Sequence, residues 1–161
     1  MDVVNEESIK ERVFKYYRDG GGKTFYCGYK SLAKHYSVKV GGCTDWTGYA
    51  GSGKSELLLD ILKNQSLWYG HKHLIHMPDA GTIEEVIGKL IHKLSGKQFE
   101  EFYYNENGDR VLIENRVTES EIEKYLPLVL DSFKILDPMT KNNSKALTPK
   151  EFWRFAVENK K

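Results

Sequence analysis

One eight-residue run, Gly48-Tyr49-Ala50-Gly51-Ser52-Gly53-Lys54-Ser55, constrains this chain more than any other feature. It matches the phosphate-loop pattern G-x-x-x-x-G-K-[ST] at every fixed position. In such a loop the glycines let backbone N–H groups turn inward around a polyphosphate, the lysine reaches the β- and γ-phosphates, and the hydroxyl holds Mg²⁺. The pattern predicts an ATP site made by Gly48, Tyr49, Ala50, Gly51, Ser52, Gly53, Lys54, Ser55 and Glu56, with Ser55 on the magnesium ion.

A phosphate loop should follow a buried strand and open a helix. Upstream, residues 43–47 are predicted to form a short strand, although Asp45 makes it less apolar than a central strand should be. Downstream, residues 56–63 are strong helix formers with no breaker among them. The alternative is a glycine-rich turn before a helix with no ligand, but a mere turn needs neither Lys54 nor Ser55.

Composition narrows the class of protein. The 161 residues suffice for one domain with a core, and 40% hydrophobic with 29% charged residues is typical of a soluble globular chain. The net charge of +1 gives no overall field that would recruit nucleic acid. Residues 1–6 lack the apolar core of a secretory signal, and no apolar run approaches the length of a membrane span.

The cysteines and histidines do not form a recognisable metal pattern. Cys27 and Cys43 make no Cys-x-x-Cys pair, so the sequence predicts neither a disulfide framework nor a metal site and suits a reducing cytosol. His71, His73 and His76 surround one predicted strand, and surface or half-buried positions are favoured over a metal cluster.

The order of elements predicts an α/β fold, because strands alternating with helices imply a parallel sheet with right-handed crossovers. Three capping boxes, beginning at Thr82, Thr118 and Thr148, mark helix starts, and Pro127 should kink or restart the second of these helices. The predicted elements are helices over 6–18, within 28–36 and from 54 to about 68, a strand over 73–77, a helix from 82, a hairpin over 98–117, a helix from 118, a strand over 133–136 and a helix from 148.

Taken in order, residues 28–159 resemble the first half of the RecA-fold ATPase core of replicative helicases of the DnaB and Twinkle group, including phage relatives. The resemblance is carried by the following residues: Gly28-Tyr29 with Leu32 and Tyr36, residues 47–56, Met77-Pro78-Asp79, and Gly96-Lys97-Gln98-Phe99. It implies a three-layer P-loop NTPase with a mostly parallel sheet, an incomplete core and a β-hairpin insertion. Residues 1–27 would be an N-terminal helix and linker, and residues 28–161 a partial RecA-like nucleotide-binding domain.

In that family the second strand ends in a glutamate that activates the attacking water, and Asp79 stands at the matching place. Lys54 and Asp79 are therefore the candidate catalytic residues. Aspartate is one methylene shorter, and after Pro78 it also suits a turn or cap. The Walker B strand and the arginine finger would come after the last helix, where the sequence leaves no room for them. Two aspartates are weaker candidates for the Walker B role: Asp131 lies in a predicted helix, and Asp137 follows a strand on the wrong side of the last helix.

The resemblance implies an ATP- and magnesium-binding domain related to DNA helicase motors that needs further chain or subunits for hydrolysis. It implies single-stranded DNA contact through a homo-oligomer or with a complementary subunit, no membrane partner, and a bacterial or phage-infected cytoplasm. One alternative is a non-catalytic interaction module that uses Phe102, Tyr103, Tyr104 or Trp153. Another is a small-molecule kinase whose lid arginines are Arg110 and Arg116.

Overall fold

The protein is described by a computed structural model over residues 6–77, 79, 81–136 and 148–158, and its contacts divide it into two units, Met1–Lys54 and Ser55–Lys161. This division falls inside the phosphate-loop motif, between Lys54 and Ser55. The domain limit between residues 27 and 28 that the family resemblance implies stays a prediction.

The first unit begins with the predicted amphipathic helix and continues with short elements. Its elements are α1 (Glu6–Arg18), β1 (Thr24–Phe25), α2 (Lys30–Ala33) and β2 (Val38–Lys39). β1 and β2 pair antiparallel, with Thr24 opposite Lys39 and Phe25 opposite Val38. Among the described residues of this unit, Cys27 is the single buried hydrophobic side chain.

The predicted strand over residues 43–47 is wrong, because this segment has no regular secondary structure. Four of its five residues are exposed, including Asp45, and only Trp46 is half-buried. The Trp46 ring packs edge-on against Tyr36, with ring centroids 5.1 Å apart. A segment that is polar on both sides cannot occupy the middle of a parallel sheet, where both faces are covered by apolar neighbours.

The remaining elements follow the predicted order. They are α3 (Lys54–Tyr69), β3 (His73–Ile75), α4 (Ile83–Ser95), β4 (Phe102–Tyr104), β5 (Arg110–Leu112), α5 (Glu119–Ser132), β6 (Phe133–Ile135) and α6 (Pro149–Glu158). β3 and β6 pair in parallel, with Leu74 opposite Lys134, and β4 and β5 form the predicted antiparallel hairpin. The α/β class is thereby confirmed, while each sheet of the described chain has two strands, so the three-layer arrangement stays a prediction.

The core of the second unit surrounds α4. Leu90 of this helix is fully buried, and Gly88 of the same helix lies against the Phe99 ring, where a Cβ atom would approach the ring carbon Cδ1 to 2.9 Å. A side chain at position 88 would therefore displace the ring. The buried cluster consists of Leu59, Ile75, Val86, Leu90, Ile91, Val117, Val129 and Phe133.

The predicted capping boxes are all present. In the boxes that start α4 and α5, the hydroxyls of Thr82 and Thr118 each accept a hydrogen bond from the backbone N–H three residues later. The carboxylates of Glu85 and Glu121 accept one from the backbone N–H of the threonine. At α6, the Thr148 N–H donates to Glu151 over 2.8 Å. α5 continues through Pro127 as one helix, so the predicted restart is wrong, while the predicted kink stays a prediction.

Glu121, in the capping box of α5, makes the stability of this helix start depend on pH. Hydrogen bonds from Lys97, at 2.8 Å, and then from the Thr118 backbone lower the pKa of Glu121 from 4.5 to about 2. A lowered carboxyl pKa stabilises the folded state above pH 4.5, and this contribution is lost as the pH falls toward 2. Glu121→Gln should lower the melting temperature most at neutral pH, and the difference from wild type should shrink in acid.

Thermal unfolding of both proteins, followed by circular dichroism between pH 7 and about 2, measures this difference. Glu119→Gln, which removes an exposed carboxylate from the same helical turn, is the matched control. A Glu121→Gln difference that stays constant down to the lowest pH would contradict the role given to the Lys97 and Thr118 contacts.

Candidate phosphate-binding loop

Residues 48–53 form an irregular loop that leads directly into α3, as the motif predicts. Gly51 and Gly53 have φ angles of 74° and 80°, a left-handed backbone region that side chains with a Cβ atom adopt at a cost. A Cβ atom at either position would meet nothing within 4 Å, so this part of the loop faces open space. The fixed glycine of the motif at position 53 is therefore required by backbone conformation.

The ammonium group of Lys54 is held by the loop itself. It donates hydrogen bonds to the carbonyl oxygens of Gly48, at 2.9 Å, and Tyr49, at 2.7 Å, and lies 3.4 Å from the Ser52 hydroxyl. These three contacts match the three protons of an ammonium group. The loop thus holds one positive charge against the backbone of its first two residues.

Gly48 makes room for this arrangement. A Cβ atom at position 48 would lie 3.1 Å from the Ser52 hydroxyl oxygen and 3.5 Å from Cδ of Lys54. A side chain at position 48 would therefore crowd the Ser52 hydroxyl, whereas its distance from the Lys54 stem would be an ordinary van der Waals contact. Tyr49 beside it is 90% exposed, so the tip of the loop is open to solvent.

Ser55, in the first turn of α3, is exposed and supplies the hydroxyl that the motif assigns to Mg²⁺. Within the described ranges no three His, Cys, Asp or Glu side chains come together as a possible metal site. Magnesium commonly takes few protein ligands and completes its shell with phosphate oxygens and water. A single exposed hydroxyl beside the phosphate loop fits that mode of binding.

The carboxylate of Glu56 is engaged by two lysines of α4. Its oxygens lie 3.0 Å from the Lys89 ammonium and 2.9 Å from the Lys93 ammonium. The hydrogen bond from Lys93 lowers the pKa of Glu56 most, burial acts in the opposite direction, and Lys89 adds to the lowering. Sequence reasoning missed this contact, although lysines four residues apart were visible on one face of α4.

Asp79, the candidate water-activating residue, is exposed and lies in the second unit, whereas Lys54 ends the first. β3 ends at Ile75, before Asp79, and Pro78 and Ala80 lie outside the described residues. Its catalytic role and its alternative role in a turn both stay predictions.

The two other aspartates considered for a Walker B role differ in outcome. Asp131 lies in α5, as its helical spacing predicts, and forms an ion pair with Lys72. It therefore does not end a strand, as a Walker B aspartate would. Asp137 lies outside the described residues.

The arginines proposed for a kinase lid are both used within the hairpin segment. The Arg110 guanidinium stacks over the Phe102 ring at 3.8 Å and lies 3.5 Å from Glu101, while Arg116 donates to the Phe99 carbonyl at 3.4 Å. Such contacts stabilise the hairpin and occupy the groups that a lid would need for phosphates. The arrangement gives the kinase alternative no support.

The histidines around β3 pack against aromatic rings. His73 stacks on Phe133 with centroids 5.3 Å apart, and His76 stacks on Phe152 at 6.3 Å. Burial, with a smaller contribution from neighbouring His71, lowers the pKa of His73 to about 4. His73 is therefore neutral at physiological pH and belongs to the packing of the parallel strand pair.

The chain matches no protein-family model, no curated protein and no solved structure. The interpretation of the site thus depends on the loop and its chemistry. Every helix within the described ranges is too short or too polar to cross a bilayer.

Proposed function

We propose that this chain binds Mg·ATP through the loop of residues 48–55. The observation that carries the proposal is the Lys54 ammonium, held by the carbonyls of Gly48 and Tyr49 inside a loop whose glycines adopt left-handed backbone angles. A cation held in such a loop is suited to a polyphosphate, because charge-assisted hydrogen bonds are about twice as strong as neutral ones.

Each residue has a distinct role in this proposal. Lys54 exchanges its carbonyl partners for phosphate oxygens, since an ammonium–phosphate contact is favoured over an ammonium–carbonyl contact. The N–H groups of residues 51–55 bind phosphate at the start of α3, where the helix dipole adds positive potential. The Ser55 hydroxyl coordinates Mg²⁺, which supplies charge neutralisation of the phosphates when it is bound.

We infer that the ATP-binding domain is related to DNA helicase motors and hydrolyses ATP slowly or not at all by itself. Phosphoryl transfer depends on positioning and charge stabilisation, and an arginine finger from a partner contributes about 10³–10⁵ in rate. Asp79 is the proposed water-orienting group. The same proposal includes contact with single-stranded DNA, through an oligomer of this chain or with a complementary subunit. It also places the protein in the cytoplasm.

A second candidate is a non-catalytic interaction module. Tyr103, Tyr104 and Trp153 are 55%, 67% and 64% exposed, and aromatic side chains of this kind are enriched in protein interfaces. This candidate is favoured if the loop binds no nucleotide.

The proposal is tested by calorimetric titration with ATP, ADP and AMP, each with and without Mg²⁺. Because the loop grips the β- and γ-phosphates, we expect affinity to fall from ATP to ADP and AMP to bind about 100-fold more weakly than ATP or not at all. Magnesium should strengthen ATP binding. Equal affinity for ATP and AMP would place recognition on the base and ribose and would overturn the assignment to this loop.

A further inference from the structure

The first turn of α3 contains a carboxylate at a place where the proposed ligand is strongly anionic. Glu56 follows Lys54 by two residues, and a phosphate group bound at the start of this helix lies within a Debye length of that turn. An unpaired carboxylate there would repel a triphosphate. Its neighbours therefore decide whether the position opposes nucleotide binding.

Lys89 and Lys93 surround the Glu56 carboxylate from α4. Lys89 contacts Oε1 at 3.0 Å and Lys93 contacts Oε2 at 2.9 Å, so each oxygen has its own cation. The Lys93 side chain is 12% exposed, which holds its charge in a fixed place and weakens screening by solvent.

The next turn of α3 extends the charge network. Lys63 donates to Asp60 at 2.6 Å, and its ammonium also lies 3.5 Å from the carbonyl oxygen of Lys93. Three ammonium groups thus face two carboxylates, Glu56 and Asp60. The cluster carries one positive charge in excess. Both carboxylates belong to α3, and two of the three ammonium groups come from α4.

We propose that Lys89 and Lys93 are positioning residues for the nucleotide site, which cancel the repulsion between Glu56 and the bound triphosphate. This inference rests on the proposed function. The two lysines supply positive potential from a helix that lies more than 30 residues further along the chain, without themselves touching the phosphates. The Glu56 carboxylate itself is held by the two lysines.

A merely structural ion pair makes a different prediction. If the contact only holds α3 against α4, removing either side should weaken nucleotide binding, since the same link is broken. If the contact cancels charge, the two sides have opposite effects. Glu56→Gln should then tighten ATP binding, whereas Lys89→Gln should weaken it, each by about three- to tenfold at low salt.

The experiment measures the ATP dissociation constant of the full chain with Mg²⁺ for wild type, Glu56→Gln, Lys89→Gln, Lys89→Gln/Lys93→Gln and the triple variant. We expect affinity to decrease in the order Glu56→Gln, wild type, triple variant, double lysine variant. Differences should shrink between about 0.05 and 0.5 M salt. Lys89 is more exposed than Lys93, so the Lys89→Gln single variant keeps the test valid if removal of Lys93 impairs folding.

The outcomes separate this inference from the proposed function. If wild type binds ATP in a Lys54-dependent way but Glu56→Gln weakens binding as much as Lys89→Gln does, the charge-cancelling role is overturned and the loop assignment stands. If wild type binds no ATP, both fall. Opposite signs for the glutamate and lysine variants, reduced by salt, support the inference.

Discussion

Replacing Lys54 with alanine should weaken Mg·ATP binding by about 100-fold or more, because it removes two or more charge-assisted hydrogen bonds of about 1.5–3 kcal/mol each. The effect should be large because the ammonium is already held in the loop, at 2.7 Å from the Tyr49 carbonyl and 2.9 Å from the Gly48 carbonyl. The Lys54 side chain then needs no large movement when the phosphates bind. Calorimetric titration with Mg·ATP measures the loss directly.

Two variants control for effects other than phosphate contact. Lys34→Ala removes an exposed cation from the same unit with the same change in net charge, and its ATP affinity should stay within about twofold of wild type. Lys54→Arg keeps the charge but replaces the compact ammonium by a planar fork, so binding should also weaken. Far-UV circular dichroism checks that α3 is retained. Wild-type affinity in Lys54→Ala would mean that nucleotide, if bound, lies elsewhere.

The helices could be predicted from sequence because their signals are local. The Thr82–Glu85 and Thr118–Glu121 pairs are three residues apart, and each satisfies its own helix start in the structure as expected. The spacing of apolar residues along α4 also predicted which face of this helix is buried, and that face carries Leu90. The hairpin was predictable for the same reason, since residues 105–109 contain a strong turn signal between two β-prone segments.

Non-local features could not be predicted in the same way. Residues 43–47 were expected to form a strand from their position before the loop, but a strand needs a partner that no local pattern specifies, and the segment is mostly exposed. The pairing of Glu56 with Lys89 and Lys93 was invisible because it depends on how α4 packs on α3. In the loop, the motif predicts that Lys54 contacts phosphates. The sequence could not show that the carbonyl oxygens of Gly48 and Tyr49 hold its ammonium group.

Leu90→Ala should destabilise the second unit by about 2–5 kcal/mol, a large part of the 5–15 kcal/mol that stabilises a typical domain. Leu90 is fully buried, and it belongs to the same core cluster as Ile75 of β3 and Val129 of α5. Alanine would remove apolar contacts and leave a cavity. Because the surrounding core is close-packed, it can relax only partly to fill that cavity. Leu128→Ala, at a 51% exposed position of α5, is the control and should cost less than about 1 kcal/mol.

Urea unfolding followed by far-UV circular dichroism measures both changes, because the second unit contains most of the helix in the described chain. A fall in the unfolding midpoint with an unchanged m-value reports lost stability, whereas a changed m-value reports altered compactness. The free energy lost in Leu90→Ala should clearly exceed that in Leu128→Ala, since burial is what distinguishes the two leucines. Equal losses would mean that α4 is not at the centre of the core, and the placement of Lys89 and Lys93 beside Glu56 would then lose its support.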